Sequence, residues 1–194
     1  MEQEQVQIPA FKAARLDAIE NYIAMEHNYI AIISILLKIP HEQAISIASG
    51  MLNSKSRLVL VGDLIQPLAT EAMPFWQEVR ERIERLDIMR NKIVHWIEVY
   101  QEGPRDDTGK VISPTVSKLV PWKTFVGTDK SALDIHALRE FSARVKYTNQ
   151  LLAHLAAYFL YSPEMKLTFR SIFVKKPDDN TLNQLFALIE KAAR

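Results

Sequence analysis

The sequence from Phe75 to Gln101 reads "FWQEVRERIERLDIMRNKIVHWIEVYQ". It holds no glycine or proline, and its apolar residues recur at spacings of three, four and seven, which is the period of an α-helix. On a helical wheel they fall within an arc of about 100°. They are Trp76, Val79, Ile83, Leu86, Ile93, Val94 and Ile97. We therefore predict one long helix over residues 75–101 with a single core-facing side.

Arg90 is the exception on this core-facing side, because it falls between Leu86 and Val94 in the same arc. A buried guanidinium without a partner is costly. Three placements avoid that cost. Arg90 can form an ion pair with a carboxylate of a neighbouring helix, such as Glu20 or Glu26. It can lie at the edge of the core with its charged head in water, or it can face a polar cleft.

The opposite side of the predicted helix is polar and carries Asn91 and His95. These two residues are four apart and are therefore neighbours on a helix. Arg90 and His95, by contrast, point about 140° apart on a regular helix. To act together they need a local kink, or a dimer that supplies a second copy of the helix.

The rest of the chain shows the same helical period, with two smaller features. Further helices are predicted over residues 11–38, over 41–68 with a kink or break at Gly50 or Asn53-Ser54, and from a capping box at Ser131–Asp134 to about Tyr161. A β-hairpin is predicted at about 110–126, and the tail at about 163–194 is read as an extended piece, "KLTFRSIFVKK", followed by a helix over about Thr181–Ala193. We therefore expect a mainly α fold and a single domain over residues 1–194. Its architecture would be an up-and-down four-helix bundle with a small β-hairpin insertion and a C-terminal tail helix.

Composition excludes several classes of protein. The 194 residues include no cysteine, so disulfides, cysteine-ligated zinc sites and thiol catalysis are excluded. The net charge is +1, so any nucleic-acid binding must rest on a local patch. The most apolar stretch, Ile30–Leu37, is far shorter than the roughly 20 residues that cross a bilayer. With no signal-peptide pattern at the N-terminus, we expect a cytoplasmic protein without a membrane partner.

Other candidate sites are weaker. The sequence has no glycine-rich phosphate loop, serine-nucleophile elbow or EF-hand loop, and we expect neither a cofactor nor a metal. His154 lies among leucines and is predicted at the edge of the core. Basic residues of the hairpin and tail could form a positive rim for RNA, with Trp122, Phe125 and Phe169 available for stacking. The alternative, which we favour, is a solvated rim with those aromatic side chains packed inward.

The segment "RNKIVHW", residues 90–96, resembles the Arg-polar-x-x-x-His signature of the HEPN superfamily. The resemblance is specific over Arg90, Asn91 and His95, and it extends to the general layout of four long helices. Many family members are metal-independent endoribonucleases of toxin–antitoxin and phage-defence systems, and they act as dimers whose paired motifs line one cleft. The resemblance implies that Arg90 and His95 are catalytic and that Asn91 assists them. It also implies that RNA is the substrate, that the chain is a homodimer, and that an antitoxin or other partner protein binds it.

The residue chemistry is compatible with this resemblance. RNA is cleaved when its own 2′-hydroxyl attacks the adjacent phosphate, which requires a base, an acid and stabilisation of negative charge. Histidine side chains in general can transfer protons near neutral pH. Arginine stays charged and binds phosphate through a two-pronged fork. Asn91 could orient His95 or hold a phosphate oxygen, and two copies of His95 in a dimer could divide the roles of acid and base.

A non-catalytic reading is the alternative. Toxin-type family members often carry a tyrosine two residues after the histidine, and here that position is Ile97. Together with the near-neutral charge, this favours a helical module that binds a partner protein or a nucleotide. In that reading Arg90 is a structural ion-pair residue.

Overall fold

A computed structural model describes residues 7–101, 106–109, 116–121 and 132–192, and this part of the chain is mainly helical. Its elements are α1 (Gln7–Leu37), α2 (His41–Ser49), α3 (Ser54–Leu68), a 3-10 turn (Thr70–Ala72), α4 (Met73–His95), β1 (Ile97–Gln101), β2 (Val116–Val120), α5 (Ile135–Leu160), α6 (Pro163–Phe173) and α7 (Thr181–Ala192). A mainly α fold with a small antiparallel sheet is therefore confirmed.

The chain divides into two compact units. The first unit comprises Met1–Ile23 and Leu86–Val145, and it holds both strands and the last part of α4. The second unit comprises Ala24–Arg85 and Lys146–Arg194. Every residue of the RNKIVHW segment belongs to the first unit. The prediction of a single domain over residues 1–194 stays a prediction.

The helix predicted over residues 75–101 is shorter than expected at its C-terminal end. α4 ends at His95, and the next residues form strand β1, so the prediction of helix over residues 96–101 is wrong. The apolar residues of α4 itself are buried as predicted: Trp76, Val79, Ile83, Leu86 and Ile93. Val94 is exposed, and Ile97 lies on β1 rather than on the helix.

The two strands form an antiparallel pair in which Ile97 lies opposite Val120 and Gln101 opposite Val116. Isoleucine, valine and tyrosine favour strands because they pack well on a pleated surface, and β1 is rich in them. β2 lies inside the predicted hairpin at about 110–126, but it pairs with β1, which had been assigned to the helix. Residues 110–115 and 122–126 of that predicted hairpin lie outside the described residues.

The break predicted in the second helix is confirmed. α2 ends at Ser49, and α3 starts after Asn53, whose side chain accepts a hydrogen bond from the backbone N–H of Ser56 at 2.8 Å. An asparagine at this position satisfies a free N–H of the first helical turn. Helix formation therefore restarts at Asn53 rather than continuing through Gly50.

Two other helix starts differ from prediction. The tail segment read as extended is helix α6, because Ser162 accepts a hydrogen bond from the Met165 N–H and Pro163 occupies the first helical turn. α5 begins at Ile135, and Asp134 caps it by accepting from the Ala137 N–H at 2.8 Å, so the helix does not begin directly after Ser131 as the predicted capping box requires. Ser131, the other member of that box, lies outside the described residues.

A partly buried polar cluster joins α1, α2 and α3 in the second unit. The carboxylate of Glu26 accepts hydrogen bonds from the Tyr29 hydroxyl at 3.0 Å and from Arg57 Nη1 at 3.2 Å. Arg57 also donates through Nε to the Ala48 carbonyl. Burial and the neighbouring Glu26 carboxylate raise the pKa of Tyr29 to about 12. Glu26, one of the two carboxylates considered for Arg90, is therefore occupied by Arg57.

His154 lies at the edge of the core of the second unit, as predicted. It is half-buried on α5, and its ring meets that of Phe186 edge-on, with the ring centroids 5.6 Å apart. Burial lowers the pKa of His154 below its usual value of 6.5. The folded protein therefore favours the neutral imidazole.

This shift predicts acid-sensitive stability. The unfolded chain takes up the His154 proton at a higher pH than the folded protein does, so the stabilisation is complete above pH 6.5 and is lost as pH falls below it. We expect His154→Gln to lose less of its free energy of unfolding between pH 7.5 and 5 than the wild type does. Urea unfolding at the two pH values measures this difference. His136→Gln, at an exposed histidine of the same helix, is the control. Equal losses in wild type and His154→Gln would contradict the assignment.

Candidate functional site

Arg15 of α1 fixes the C-terminal end of α4. Its Nε donates to the carbonyl of Ile93 at 3.0 Å, and its Nη2 donates to the carbonyls of Val94 and Trp96, each at 3.2 Å. The last carbonyls of a helix have no partner within the helix and carry partial negative charge. The guanidinium satisfies three such carbonyls around His95. The backbone that carries His95 is thereby held in place.

Tyr22, also on α1, forms the surface on which Arg90 rests. Tyr22 is buried, and its hydroxyl donates to Asp87 Oδ1 at 2.9 Å. Its ring lies parallel to that of Phe141, with centroids 6.3 Å apart, and the guanidinium carbon of Arg90 lies 5.4 Å from its centroid. A cation over an aromatic face is attracted to the ring's negative charge distribution. The core-facing position of Arg90 is thus occupied by a side chain that packs on an aromatic ring.

The ion pair considered for Arg90 is not formed with any carboxylate of the described residues. Arg90 makes no salt bridge with any carboxylate in the part of the chain that the structure describes, and Glu20 is no exception. Arg90 is partly exposed, so its charged head reaches water at the edge of the first unit. Of the three placements considered, the edge position is the one observed.

Arg90 and Asn91 are joined directly. Arg90 Nη1 donates to Asn91 Oδ1 at 3.0 Å, and both side chains reach solvent. His95 is exposed one helical turn after Asn91 and makes no hydrogen bond with any described residue. The structure therefore brings Arg90 and Asn91 together, and the His95 imidazole, on the next turn, forms no hydrogen bond with a described residue. The motif thus offers a guanidinium that can bind an anion, but this guanidinium points well away from the imidazole of the same chain.

A second pair lies on the other side of His95. Lys92 Nζ lies 5.4 Å from the ring centroid of Trp96, and both residues are partly exposed. The Trp96 backbone N–H bonds to the Lys92 carbonyl at 2.9 Å, so the helical course persists to Trp96. Neither Lys92 nor Trp96 is among the site residues predicted from the sequence. The signal was available, since lysine and tryptophan four residues apart on a helix are neighbours.

One of the three aromatic side chains considered for stacking at the positive rim of the hairpin and tail is not available for it. Phe169 is buried and packs against the ring of Tyr161, with centroids 5.1 Å apart, so it offers no stacking surface. Trp122, Lys123 and Phe125 lie outside the described residues. Within the described residues, the C-terminal end of α4 has both the exposed cations and a reachable aromatic ring.

Comparison with known proteins adds no assignment. The chain matches no protein-family model, no curated protein and no solved structure. Within the described ranges, no group of three or more histidine, aspartate or glutamate side chains is arranged to hold a metal ion. No single helix of the described residues is long and apolar enough to cross a membrane.

Replacing Arg15 tests how α4 is terminated. Arg15→Ala removes three charge-assisted hydrogen bonds that are partly exposed, and we expect it to lower the free energy of unfolding by about 1–2 kcal/mol. Arg139→Ala is the matched control, because Arg139 is an exposed arginine of the same unit without a hydrogen bond to any described residue. Urea unfolding of both variants measures the difference. Equal stability of the two variants would show that Arg15 does not hold the end of the helix.

Proposed function

We propose that this protein is a metal-independent endoribonuclease of the HEPN type. We further propose that its helices form the up-and-down four-helix bundle of that family. The observation that supports the activity is the solvent-accessible Arg90–Asn91 pair, which forms no ion pair with a carboxylate of the described residues, one helical turn before an exposed His95. A guanidinium neutralised by an aspartate or glutamate would be a poor phosphate ligand. Arg90 instead rests on an uncharged ring and keeps donors for an anion.

Each residue has a defined task in the cleavage. Arg90 holds the two non-bridging oxygens of the scissile phosphate and stabilises the charge that develops there. One imidazole removes the proton of the 2′-hydroxyl, whose oxygen forms a bond to phosphorus. The bond from phosphorus to the 5′-oxygen breaks, and a second imidazole, in its protonated form, gives that oxygen a proton. The products are a 2′,3′-cyclic phosphate and a 5′-hydroxyl.

Two imidazoles require two chains, because the motif supplies one histidine per chain. A homodimer also removes the geometric difficulty within one helix, where Arg90 and His95 point about 140° apart. In the dimer, His95 of one chain works beside Arg90 of its partner. Asn91 connects phosphate binding with proton transfer, since it is hydrogen-bonded to Arg90 and lies one turn before His95 on the same face of the helix. By the same family resemblance, the biological setting is a toxin or phage-defence system in the cytoplasm, with an antitoxin as a possible protein partner.

Cleavage of RNA in excess EDTA is the test of this function. We expect the wild type to generate 2′,3′-cyclic phosphate ends, and we expect His95→Ala and Arg90→Ala to lower the rate at least ~100-fold each. His136→Ala and Arg139→Ala are the matched controls, since both residues are exposed on α5 of the same unit and form no hydrogen bond with a described residue. Mass spectrometry of the products identifies the ends.

Full cleavage by the Arg90→Ala, His95→Ala double variant would overturn the assignment. If no protein cleaves, the alternative of a helical module that binds a protein or nucleotide gains support. The missing ion pair of Arg90 already weighs against the structural role that this alternative gives to it.

Asn91 permits a sharper test of the role of Arg90. Asn91→Asp keeps the shape of the side chain but places a carboxylate at the atom that Arg90 contacts. We expect the new charge to hold the guanidinium and compete with phosphate, so that cleavage falls by ~10- to 100-fold while stability is unchanged. Asn91→Ala, which removes the contact without adding charge, should lose less. If Asn91→Asp were as active as the wild type, Arg90 could not be the phosphate ligand.

A further inference from the structure

The exposed side of the last turn of α4 presents its side chains in a fixed order. With about 100° of rotation per residue, Asn91 lies about 40° to one side of His95, Lys92 lies about 60° to the other side, and Trp96 lies about 40° beyond Lys92. Arg90 reaches this surface through its bond to Asn91. His95 is therefore flanked by an amide and guanidinium on one side and by an ammonium and indole on the other.

The charge of this surface is positive. Arg15 occupies three carbonyls at the helix end, which would otherwise repel an anion. Neither Arg90 nor Lys92 forms an ion pair with a carboxylate of the described residues. Of the two carboxylates nearest to the motif in the sequence, Asp87 accepts a hydrogen bond from the Tyr22 hydroxyl, and Glu98 Oε1 is buried and accepts none from a described residue.

We propose that Trp96 and Lys92 form a subsite for the nucleotide next to the scissile phosphate, in which the base stacks on Trp96 and Lys92 holds the adjoining phosphate. This inference rests on the proposed ribonuclease function and specifies its substrate as single-stranded RNA. In a duplex the bases are stacked on one another and cannot leave for an indole ring, whereas an unpaired base can be splayed out. A cation and an aromatic ring side by side match the alternation of phosphate and base along one strand.

The position of Lys92 over the Trp96 ring is compatible with later stacking of a base on that ring. In the free protein its ammonium lies over the indole, a contact that contributes only a few-fold in an equilibrium constant at an exposed site. Phosphate attracts the ammonium more strongly than the ring does, because it carries a full negative charge. Arriving RNA therefore draws Lys92 from the ring to the backbone. The uncovered face of Trp96 then receives the base.

The experiment measures binding without cleavage. A fluorescein-labelled single strand of mixed sequence, 2′-O-methylated throughout so that no 2′-hydroxyl can attack, is titrated with full-length protein and followed by anisotropy. We expect Trp96→Ala to weaken binding by ~5- to 100-fold and Trp96→Phe to recover much of the loss. Phe186→Ala is the control for removal of a partly exposed aromatic side chain, and we expect wild-type affinity from it. The same sequence as a duplex should bind the wild type and Trp96→Ala equally.

Two further measurements separate stacking from charge. In a series of strands, each lacking the base at a different position, the wild type should lose affinity when the missing base is the one that stacks on Trp96. The affinity of Trp96→Ala should not fall further when that same base is missing. Lys92→Ala should lower the slope of log affinity against log salt concentration by about 0.7, the value for one phosphate contact on a single strand. Trp96→Ala should leave that slope unchanged. Circular dichroism confirms that each variant is folded.

The outcomes distinguish this subsite from the ribonuclease function itself. If RNA is cleaved but Trp96→Ala binds the strand as well as the wild type does, the subsite is wrong and the ribonuclease assignment stands. If Trp96→Ala loses affinity and no protein cleaves RNA, Trp96 and Lys92 form a binding site for single-stranded RNA, and both the ribonuclease assignment and the placement of this site next to a scissile phosphate are overturned. Two results would overturn the inference. The first is that the wild type does not bind the strand, and the second is that every abasic site lowers the affinity of Trp96→Ala as much as that of the wild type. In either case Lys92 and Trp96 serve another ligand, such as a protein.

Discussion

The site depends on one interaction, the insertion of Arg15 among the carbonyls of Ile93, Val94 and Trp96. A helix end must find partners for its last carbonyls, and water is the usual one. Here a guanidinium from α1 takes that role, so the helix stops at His95 and the chain can leave as strand β1. The same contact offsets the negative end of the helix dipole, which would otherwise repel a phosphate at this place. The end of the helix and the electrostatics of the candidate site thus have a common cause.

Arg90 shows how a charged side chain can occupy a core-facing position without an opposite charge. Its guanidinium packs against the ring of Tyr22, and its head reaches Asn91 and solvent, so only part of its hydration is lost. A cation–aromatic contact at a partly exposed site contributes about 0.5–1 kcal/mol, less than a buried ion pair can, but it leaves the positive charge available. An ion pair with Glu20 or Glu26 would have stabilised Arg90 more directly and would have satisfied the charge. The observed arrangement therefore leaves the positive charge of Arg90 unpaired by any carboxylate of the described residues.

The contrast between α7 and the end of α4 shows what sequence periodicity can and cannot predict. α7, the break at Gly50 and Asn53, and the burial of Trp76 and Ile83 followed from local patterns. The end of α4 did not, because the helical period continues through Ile97 and the residue that stops the helix lies 78 positions from its first acceptor. Helix α6 was missed for a different reason, since its start signals at Ser162 and Pro163 are local and were outweighed by the β-branched and aromatic residues that follow. For the candidate site, sequence identified Arg90, Asn91 and His95, whereas Tyr22 and Arg15 required the fold.

The order of side chains around the helix end constrains how RNA could approach it. Asn91, His95, Lys92 and Trp96 cover one continuous exposed arc, but Arg90 enters that arc only through its bond to Asn91 and points well away from His95. A strand lying along the arc of one chain would meet an aromatic ring, an ammonium and an imidazole, yet it would lack a guanidinium opposite the imidazole. A second chain related by a two-fold axis supplies that guanidinium at the other side of the phosphate, together with the second imidazole that proton transfer requires. The proposed cleavage chemistry therefore requires the proposed dimer, and the proposed stacking subsite would restrict the substrate to an unpaired strand.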